Sequence, residues 1–474
     1  MAIWAVLAMP VFIAGAALSV DVSRMYNLEH ELQIGADALA KAGAAELDQR
    51  SDSIIRSNRA IANLVENNQK FSENGAGEVT TQSVRYLTDL PDNDYEIPGT
   101  ELETTDPYQA RYVEVNVSPE TVKVLFSRKL ADSISSATLE ATSIAGTGNG
   151  VCGAAPLFVC NPYEGTGTSI YEAMETQEFQ RQLIQFKTTT KNNDPYGPGN
   201  FGFLDPYGNG DNSKIDEAIA INKPAVCFSK AQGVNLETGN IASLRVALNT
   251  RFDMYEGKFK QKKTDADYAP AANVTKGFSG NNCNSSPDPN AMALPRDKCF
   301  YDDSCPNMNG RQGDGDWDMV SYFEINHNAA KKVTIEGQQY NLNFNARKVT
   351  PKNKLPSRYQ VYRWEIDTGS IPGKVSYGNS STPEEGTPQC HASGASSSPF
   401  DRRIMYAAVM NCVEVEAQYG LNGSQKNLPV ETFVKVFVTE PMGKGHNNMI
   451  WGEIVGPIVK GKDPGATDQV SVSR

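Results

Sequence analysis

The sequence predicts an α+β protein, with a long N-terminal membrane or stalk helix followed by a strand-rich, disulfide-bonded exported region. Three observations predict it. The first twenty residues, MAIWAVLAMPVFIAGAALSV, contain no charged side chain. From Val22 to Leu47 apolar residues recur at intervals of three and four, the period of a helix face. Beyond residue 150 all eight cysteines gather in sequence rich in Asn, Gly, Ser and Thr between short apolar runs. At 474 residues the chain is long enough for two or three domains. Charged residues make up 21 % and the hydrophobic class 39 %, a balance that buries cores. The formal net charge of −12 argues against a nucleic-acid partner, which needs a basic footprint.

Taken in order, residues 1–20 form a hydrophobic helix. Twenty helical residues rise about 30 Å, the thickness of a hydrocarbon core, so the segment is expected to be a retained membrane anchor, with a cleaved signal peptide as the alternative. Pro10 would kink it, which lipid-embedded helices tolerate. Residues 21–68 continue without a break into an amphipathic stalk helix and a second helix. Met25, Leu28, Leu32 and Leu39 share one line with Gly35 and Gly43, and the two glycines would let a second helix approach closely. That stripe needs a partner, either the chain's own globular domain or the same helix of neighbouring subunits. The second helix should start near Ser51 or Asp52 and bury Ile54, Ile55, Ile61, Leu64 and Val65.

The stretch LSVDVSRMYNLEHELQIGADALAKAGAAEL resembles the N-terminal segment of TadG-like (TadE/TadG) Flp pilus-assembly proteins. There a hydrophobic helix runs into a D-x-x-R-x-Y stretch, a Leu-Gln, and an A-D-A-x-A-x-A-G-A run. Asp21, Arg24, Tyr26, Leu32, Gln33, Ala36, Asp37, Ala38, Ala40, Ala42, Gly43 and Ala44 carry the likeness. No basic residue precedes the apolar run, and the D-x-S-x-S metal motif of the von Willebrand A-type domain found in some TadG proteins is absent. The resemblance implies membrane association, export of the C-terminal bulk and a role in building a Flp/Tad-type pilus. Its implied partners are other pilus-system proteins, or copies of the chain itself through the N-terminal helix. Its implied location is the inner membrane with an exported domain, or a cell-surface filament. The alternative function is a surface adhesin or self-assembling extracellular filament subunit.

Residues 69–147 read as a small α+β, pilin-like domain. A polar crossing runs to residue 110, and a hairpin pairs Val113, Val115 and Val117 with Val122 and Val124. A helix is expected over Leu130 to Gly146. Residues 148–460 form the disulfide-rich, mainly β exported domain, with strands expected at RYQVYRWEI (Arg358 to Ile366), IMYAAVMNCVEVE (Ile404 to Glu416) and TFVKVFVTE (Thr432 to Glu440). A loose tail follows over 461–474.

An even cysteine count without a C-x-x-C pair reads as a disulfide set comprising Cys152, Cys160, Cys227, Cys283, Cys299, Cys305, Cys390 and Cys412. Short loops favour Cys152–Cys160 and Cys299–Cys305. Cys390–Cys412 is the longer pair, leaving Cys227–Cys283. No resident cofactor is expected, with calcium the one candidate ion. GDGDWD places Asp314, Asp316 and Asp318 at alternate positions, as in calcium loops, although Met319 stands where an EF-hand needs glycine. The rival reading is a polar turn whose charge is compensated by Lys331, Lys332 or Arg311. DPYGNGDN (Asp205 to Asn212) is a second, weaker loop of this kind. His30, His327, His391 and His446 are scattered, and no nucleophile elbow, P-loop or dinucleotide fingerprint occurs, so an enzyme is not expected. Asp401 to Arg403, just before an apolar strand, reads as a structural salt bridge.

Overall fold

In the computed structural model the residues described are 2–48, 50–64, 68–69, 77–91, 96–124, 136–153, 155–187, 203–205, 211–222, 226–230, 233–237, 243–272, 274, 290–372, 386–392, 394–395, 401–420, 425–443, 449–459 and 462–473. The chain divides into two compact units, Met1–Gly148 with Asp468–Arg474, and Asn149–Thr467.

The first unit begins with a single helix, α1 (Ala2–Ala44), rich in Ala and Leu, the strongest helix formers. A tight turn follows, in which the Ala45 N–H still reaches the Lys41 carbonyl. Helix α2 (Ser53–Ala62) then folds back on α1. Arg56 of α2 ties the turn together by pairing with Glu46 at 2.6 Å, with Asp52 at 3.1 Å and with Asp48. Ile61 is buried and Ile54 half-buried, whereas Ile55, expected inside, is exposed. Val65 lies outside the described residues.

Two short strands, β1 (Asn68–Gln69) and β2 (Gly77–Glu78), pair with each other. The main sheet is built from β3 (Thr81–Leu87), β4 (Tyr112–Val117) and β7 (Thr142–Cys152), all antiparallel. Val113, Val115 and Val117 alternate toward the core, where they meet Leu28, Leu32, Ala36 and Leu39 of α1 in one apolar cluster. On the opposite face Glu114, also buried, is held by Arg85 at 2.6 Å.

Two expectations fail here. The residues after Pro119 do form a strand, β5 (Glu120–Lys123), but its partner is β6 (Ser136–Leu139), so the expected hairpin does not close. The described part of Leu130 to Gly146 is β6 and β7 rather than helix. Its β-branched Thr138, Thr142 and Ile144 suit a pleated strand and disfavour helix. Residues 125–135 lie outside the described set. The polar crossing over 69–110 also contains β3, a full sheet member.

The second unit is organised on an eight-stranded mixed sheet. In chain order its elements are β8 (Leu157–Cys160), α3 (Ile170–Met174), α4 (Gln177–Gln180), β9 (Leu183–Lys187), β10 (Phe203–Leu204), α5 (Asn212–Ala220), β11 (Cys227–Ser229), β12 (Val234–Glu237), α6 (Leu244–Asn249) and α7 (Met319–Asn326). There follow β13 (Lys332–Ile335), β14 (Gln338–Asn343), β15 (Lys348–Thr350), α8 (Arg358–Asp367), β16 (Ile404–Met410), α9 (Cys412–Tyr419), β17 (Gln425–Leu428), β18 (Thr432–Val438) and β19 (Ile450–Pro457), and the chain ends in β20 (Ala466–Ser473), most of which belongs to the first unit. The sheet order is β17-β12-β10-β8-β16-β18-β19-β9, antiparallel except where β8 and β16 run parallel. β16 and β18 are buried nearly throughout, as central strands should be. Against them packs an aromatic-rich core from α7, α8 and the β13–β15 meander, including Trp317, Tyr322, Tyr340, Tyr362 and Phe437.

Three readings of this region are corrected. RYQVYRWEI is helix α8, capped by a reciprocal pair in which the Ser357 hydroxyl accepts from Gln360 N–H and the Gln360 side chain accepts from Ser357 N–H. IMYAAVMNCVEVE is strand only to Met410, after which Cys412 opens α9. The tail is not loose, since β20 pairs with β7. The strand expected at TFVKVFVTE is β18.

Candidate functional site

The N-terminal helix is the element to which the sequence assigns function, and its two halves differ. From Leu28 onward one face is closed. Leu28 and Leu32 are fully buried and Leu39 nearly so, with Met25 packed at the margin. A Cβ on Gly35 would stand 3.0 Å from three atoms of Val79, and one on Gly43 would stand 2.7 Å from Ile61 Cδ1. Both glycines therefore admit a close neighbour, and for Gly43 that neighbour is a helix, α2. The partner of the stripe is the chain's own domain, which removes the reading of Leu28, Leu32 and Leu39 as a contact with other subunits. Polar groups pin the same half in place. Gln33 Nε2 donates to Asp37 at 2.8 Å and to the Thr142 carbonyl at 3.2 Å, and Arg24 donates to the Lys123 carbonyl at 3.1 Å.

The first half presents apolar side chains outward. Phe12 is 77 % exposed, Met9 65 % and Ile13 63 %, with Leu18, Val20, Val22 and Tyr26 also exposed. Asp21, in the midst of these, is buried. Among the described residues no helix is long and apolar enough to cross a membrane. The side chains of residues 1–8, 10 and 11, half of the expected anchor, lie outside the described set.

Residues 1–46 match the Flp pilus-assembly TadE/G-like family. The match begins with the chain and ends two residues beyond α1, so the TadE/G-like segment is this helix and the start of its turn. No curated protein and no solved structure matches the chain. The TadE/G-like segment therefore has two surfaces, one buried on β4 and its neighbours and one apolar and open.

The acidic loop of the second unit separates its three carboxylates. Asp316 pairs with Lys298 at 3.0 Å and Lys352 at 3.1 Å. Against the cost of its partial burial, these two ammonium groups hold its carboxyl below the usual range. Asp318 caps α7 by accepting from Ser321 N–H at 3.0 Å, with Arg347 at 3.7 Å. Asp314 Oδ1 accepts from Asp316 N–H at 3.0 Å. Among the described residues no group of three or more His, Cys, Asp or Glu side chains is placed to hold a metal ion. The cations paired with the loop are Lys298, Lys352 and Arg347, while Lys331 and Lys332 make no ion pair among the described residues. Asp211, in the second loop, caps α5 through Ser213 N–H, while residues 206–210 lie outside the described set.

What holds the acidic loop is a carboxylate the sequence did not single out. Asp297, fully buried, accepts from Gly315 N–H at 2.8 Å and Leu183 N–H at 3.1 Å through Oδ2, and pairs with Arg358 at 2.5 Å through Oδ1. Arg358 pairs at 2.7 Å with Glu453, whose two oxygens also accept the first backbone N–H groups of α8. Burial raises the Glu453 carboxyl to about 7, against the pull of the guanidinium and these N–H groups. Nothing in the spacing of Asp297, Arg358 and Glu453 announces the cluster.

Three of the four expected cysteine pairings are replaced by others. Cys152 joins Cys227, its direct partner across β7 and β11, and Cys160 joins Cys412. Only Cys299–Cys305 stands as expected. Cys152–Cys160, Cys227–Cys283 and Cys390–Cys412 are therefore overturned. Cys390 is disulfide-bonded, and Cys283 lies outside the described residues. His391 Nε2 lies 2.9 Å from the Asp265 carbonyl, and His327 Nε2 lies 3.0 Å from buried Glu365 among Tyr322, Phe323 and Trp364. His30 is exposed on α1 and His446 lies outside the described residues. Arg402 and Arg403 are buried but donate to backbone carbonyls, of Ala220, Ile221 and Ala269, and of Val438 and Thr439 respectively. They brace β16 through the main chain, while Asp401 of the same motif makes the expected salt bridge, with Arg363 at 3.7 Å.

Proposed function

We propose that the chain is a structural or assembly component of a Flp/Tad-type pilus, membrane-anchored or minor-pilin-like, with its second unit as an exported head. The observation that carries this reading is the coincidence of the TadE/G-like match with one helix. That helix commits its second half to its own domain and leaves Met9, Phe12, Ile13 and Leu18 exposed. An apolar helix surface of this kind is stable only in lipid or against other helices, and a pilus system offers both. The disulfides of the second unit are in keeping with an oxidising compartment. The role is non-enzymatic. Its partners are other pilus-system proteins or further copies, reached through the first half of α1. No metal ion and no nucleic acid enters this reading.

The test is to tag the chain at its C-terminus and fractionate producing cells into cytosol, membrane and sheared surface material. The chain is expected in the membrane or the sheared filaments with its thiols oxidised. Recovery in the cytosol with reduced thiols would refute the proposal.

A further inference from the structure

Residues 331–354 carry six basic side chains, Lys331, Lys332, Arg347, Lys348, Lys352 and Lys354, against one acidic one, Glu336, in a chain whose net charge is −12. They form the β13–β15 meander, whose inward side chains Val333, Ile335, Tyr340 and Leu342 are buried in the aromatic core. A slip of one residue would turn these four outward, so the pairing is fixed and the outer face with it. Across that face Lys332, Asn341 and Thr350 stand in line on three strands, and Asn343 stands beside Lys348. All five are exposed. Arg347 is engaged by Glu324 and Asp318, Lys352 by Asp316, and Glu336 accepts from Gln360. Lys331, Lys332, Lys348 and Lys354 are exposed and make no ion pair among the described residues.

We propose that this face binds an acidic polysaccharide, a chain of sugars bearing carboxylate or sulfate groups. Each amide both donates and accepts, as sugar hydroxyls require, and the ammonium groups on either side match the anionic substituents. Among the described residues the exposed large apolar side chains all lie elsewhere. A protein partner fits the face less well, because interface cores are depleted in lysine and enriched in aromatic residues. A single-stranded nucleic acid would need exposed aromatic rings for stacking, and the half-buried Phe344 packs against the core. The inference stands apart from the pilus reading, since it concerns only the second unit.

The test uses the full chain, titrated with oligogalacturonate and, in parallel, with neutral dextran and inorganic polyphosphate over a range of salt. Oligogalacturonate is expected to bind and dextran not. K332Q/K348Q is expected to weaken oligogalacturonate binding at least tenfold and to lower its salt slope by about two, roughly one per lysine removed. N341A is expected to weaken oligogalacturonate binding while leaving polyphosphate binding unchanged, a split that charge alone would not produce. K260Q/K263Q, which removes two exposed lysines on another element, is expected to bind as the unaltered chain does, and unchanged circular dichroism excludes unfolding as a cause. The proposal is overturned if the unaltered chain prefers dextran or binds neither sugar. It is equally overturned if K332Q/K348Q binds as well as before, if K260Q/K263Q loses as much, or if N341A leaves both ligands unaffected.

Discussion

Gly313 and Gly315 show how a single residue type decides a loop. Gly315 has φ of +75°, which a side chain would strain, and its N–H points at Asp297. A Cβ on Gly313 would overlap Asp297 Oδ2, which is held by the Leu183 and Gly315 N–H groups while Arg358 fixes the other oxygen, so the carboxylate cannot retreat. Gly313→Ala is therefore expected to cost about 2–3 kcal/mol or more of stability, through overpacking and disturbance of a buried ion pair. Urea unfolding of the variant checks it, and a loss under about 0.5 kcal/mol would contradict the account. The alternating aspartates of this motif were plain in the sequence, but its glycines carry the structural reason. That reason was hidden because Asp297 lies among PRDK, a context with no distinguishing pattern.

Glu453 supplies a second expectation at this scale. Its folded-state pKa, near 7, lies above the ordinary 4.5, so folding favours the protonated form. Its contribution is full below about pH 4.5 and declines as pH rises through 7. Relative to Glu453→Gln, which cannot titrate, the unaltered chain should lose stability between pH 5 and pH 8. Parallel pH profiles of the two proteins in urea would show that the group does not titrate in this window.

Among elements, α1 was the most legible and α8 the least. The apolar period of α1 runs over many turns, and a long periodic signal survives local noise. Its partner was not legible, because a stripe reads the same whether it meets a sheet or another subunit. The consequence is a contrast between two triple variants. Leu28→Ser, Leu32→Ser and Leu39→Ser together remove three core side chains at about 2–5 kcal/mol each and should unfold the first unit. Phe12→Ser, Ile13→Ser and Leu18→Ser together should leave it folded and abolish membrane or filament association. Circular dichroism of the purified chains and cell fractionation separate the outcomes, and the opposite pattern would reverse the assignment of the two halves. In α8 the alternation of Tyr359, Val361 and Arg363 imitated a strand. The decisive signal, Ser357 three residues ahead of Gln360, is a capping pair that the strand-like alternation masks. β4 and β5 were found as strands, yet which strand each would pair with is set by the rest of the sheet, beyond the reach of a local pattern.

At the scale of the whole molecule the two units differ in covalent chemistry. Every cysteine lies beyond residue 150, so the first unit depends on packing alone, as its continuous cluster from α1 to β7 shows. Cys160–Cys412 closes a loop of 252 residues, for which the chain-entropy account gives on the order of 5 kcal/mol. A reducing agent should therefore lower the melting temperature of the second unit and leave that of the first unchanged. Two calorimetric transitions that shift together would contradict this. Mapping of unreduced peptides should recover Cys152 with Cys227, Cys160 with Cys412 and Cys299 with Cys305, and should place the remaining Cys283 with Cys390. The oxidised state of the set was legible from its even count, whereas its connectivity followed the sheet, which brings β8 and the start of α9 together from opposite ends of the unit.

The same Cys160–Cys412 bond acquires a mechanical meaning if the protein is pulled along its length, as a surface appendage is. Tension between the two termini would pass from Cys160 straight to Cys412 and bypass the chain between them. Roughly 850 Å of potential contour, at about 3.4 Å for each of 252 residues, would stay out of the load path. Helices α7 and α8, the acidic loop and the β13–β15 meander all lie in that bypassed length. Under force, oxidised protein would extend by short steps and keep this region folded, while reduced protein would pay out the whole of it.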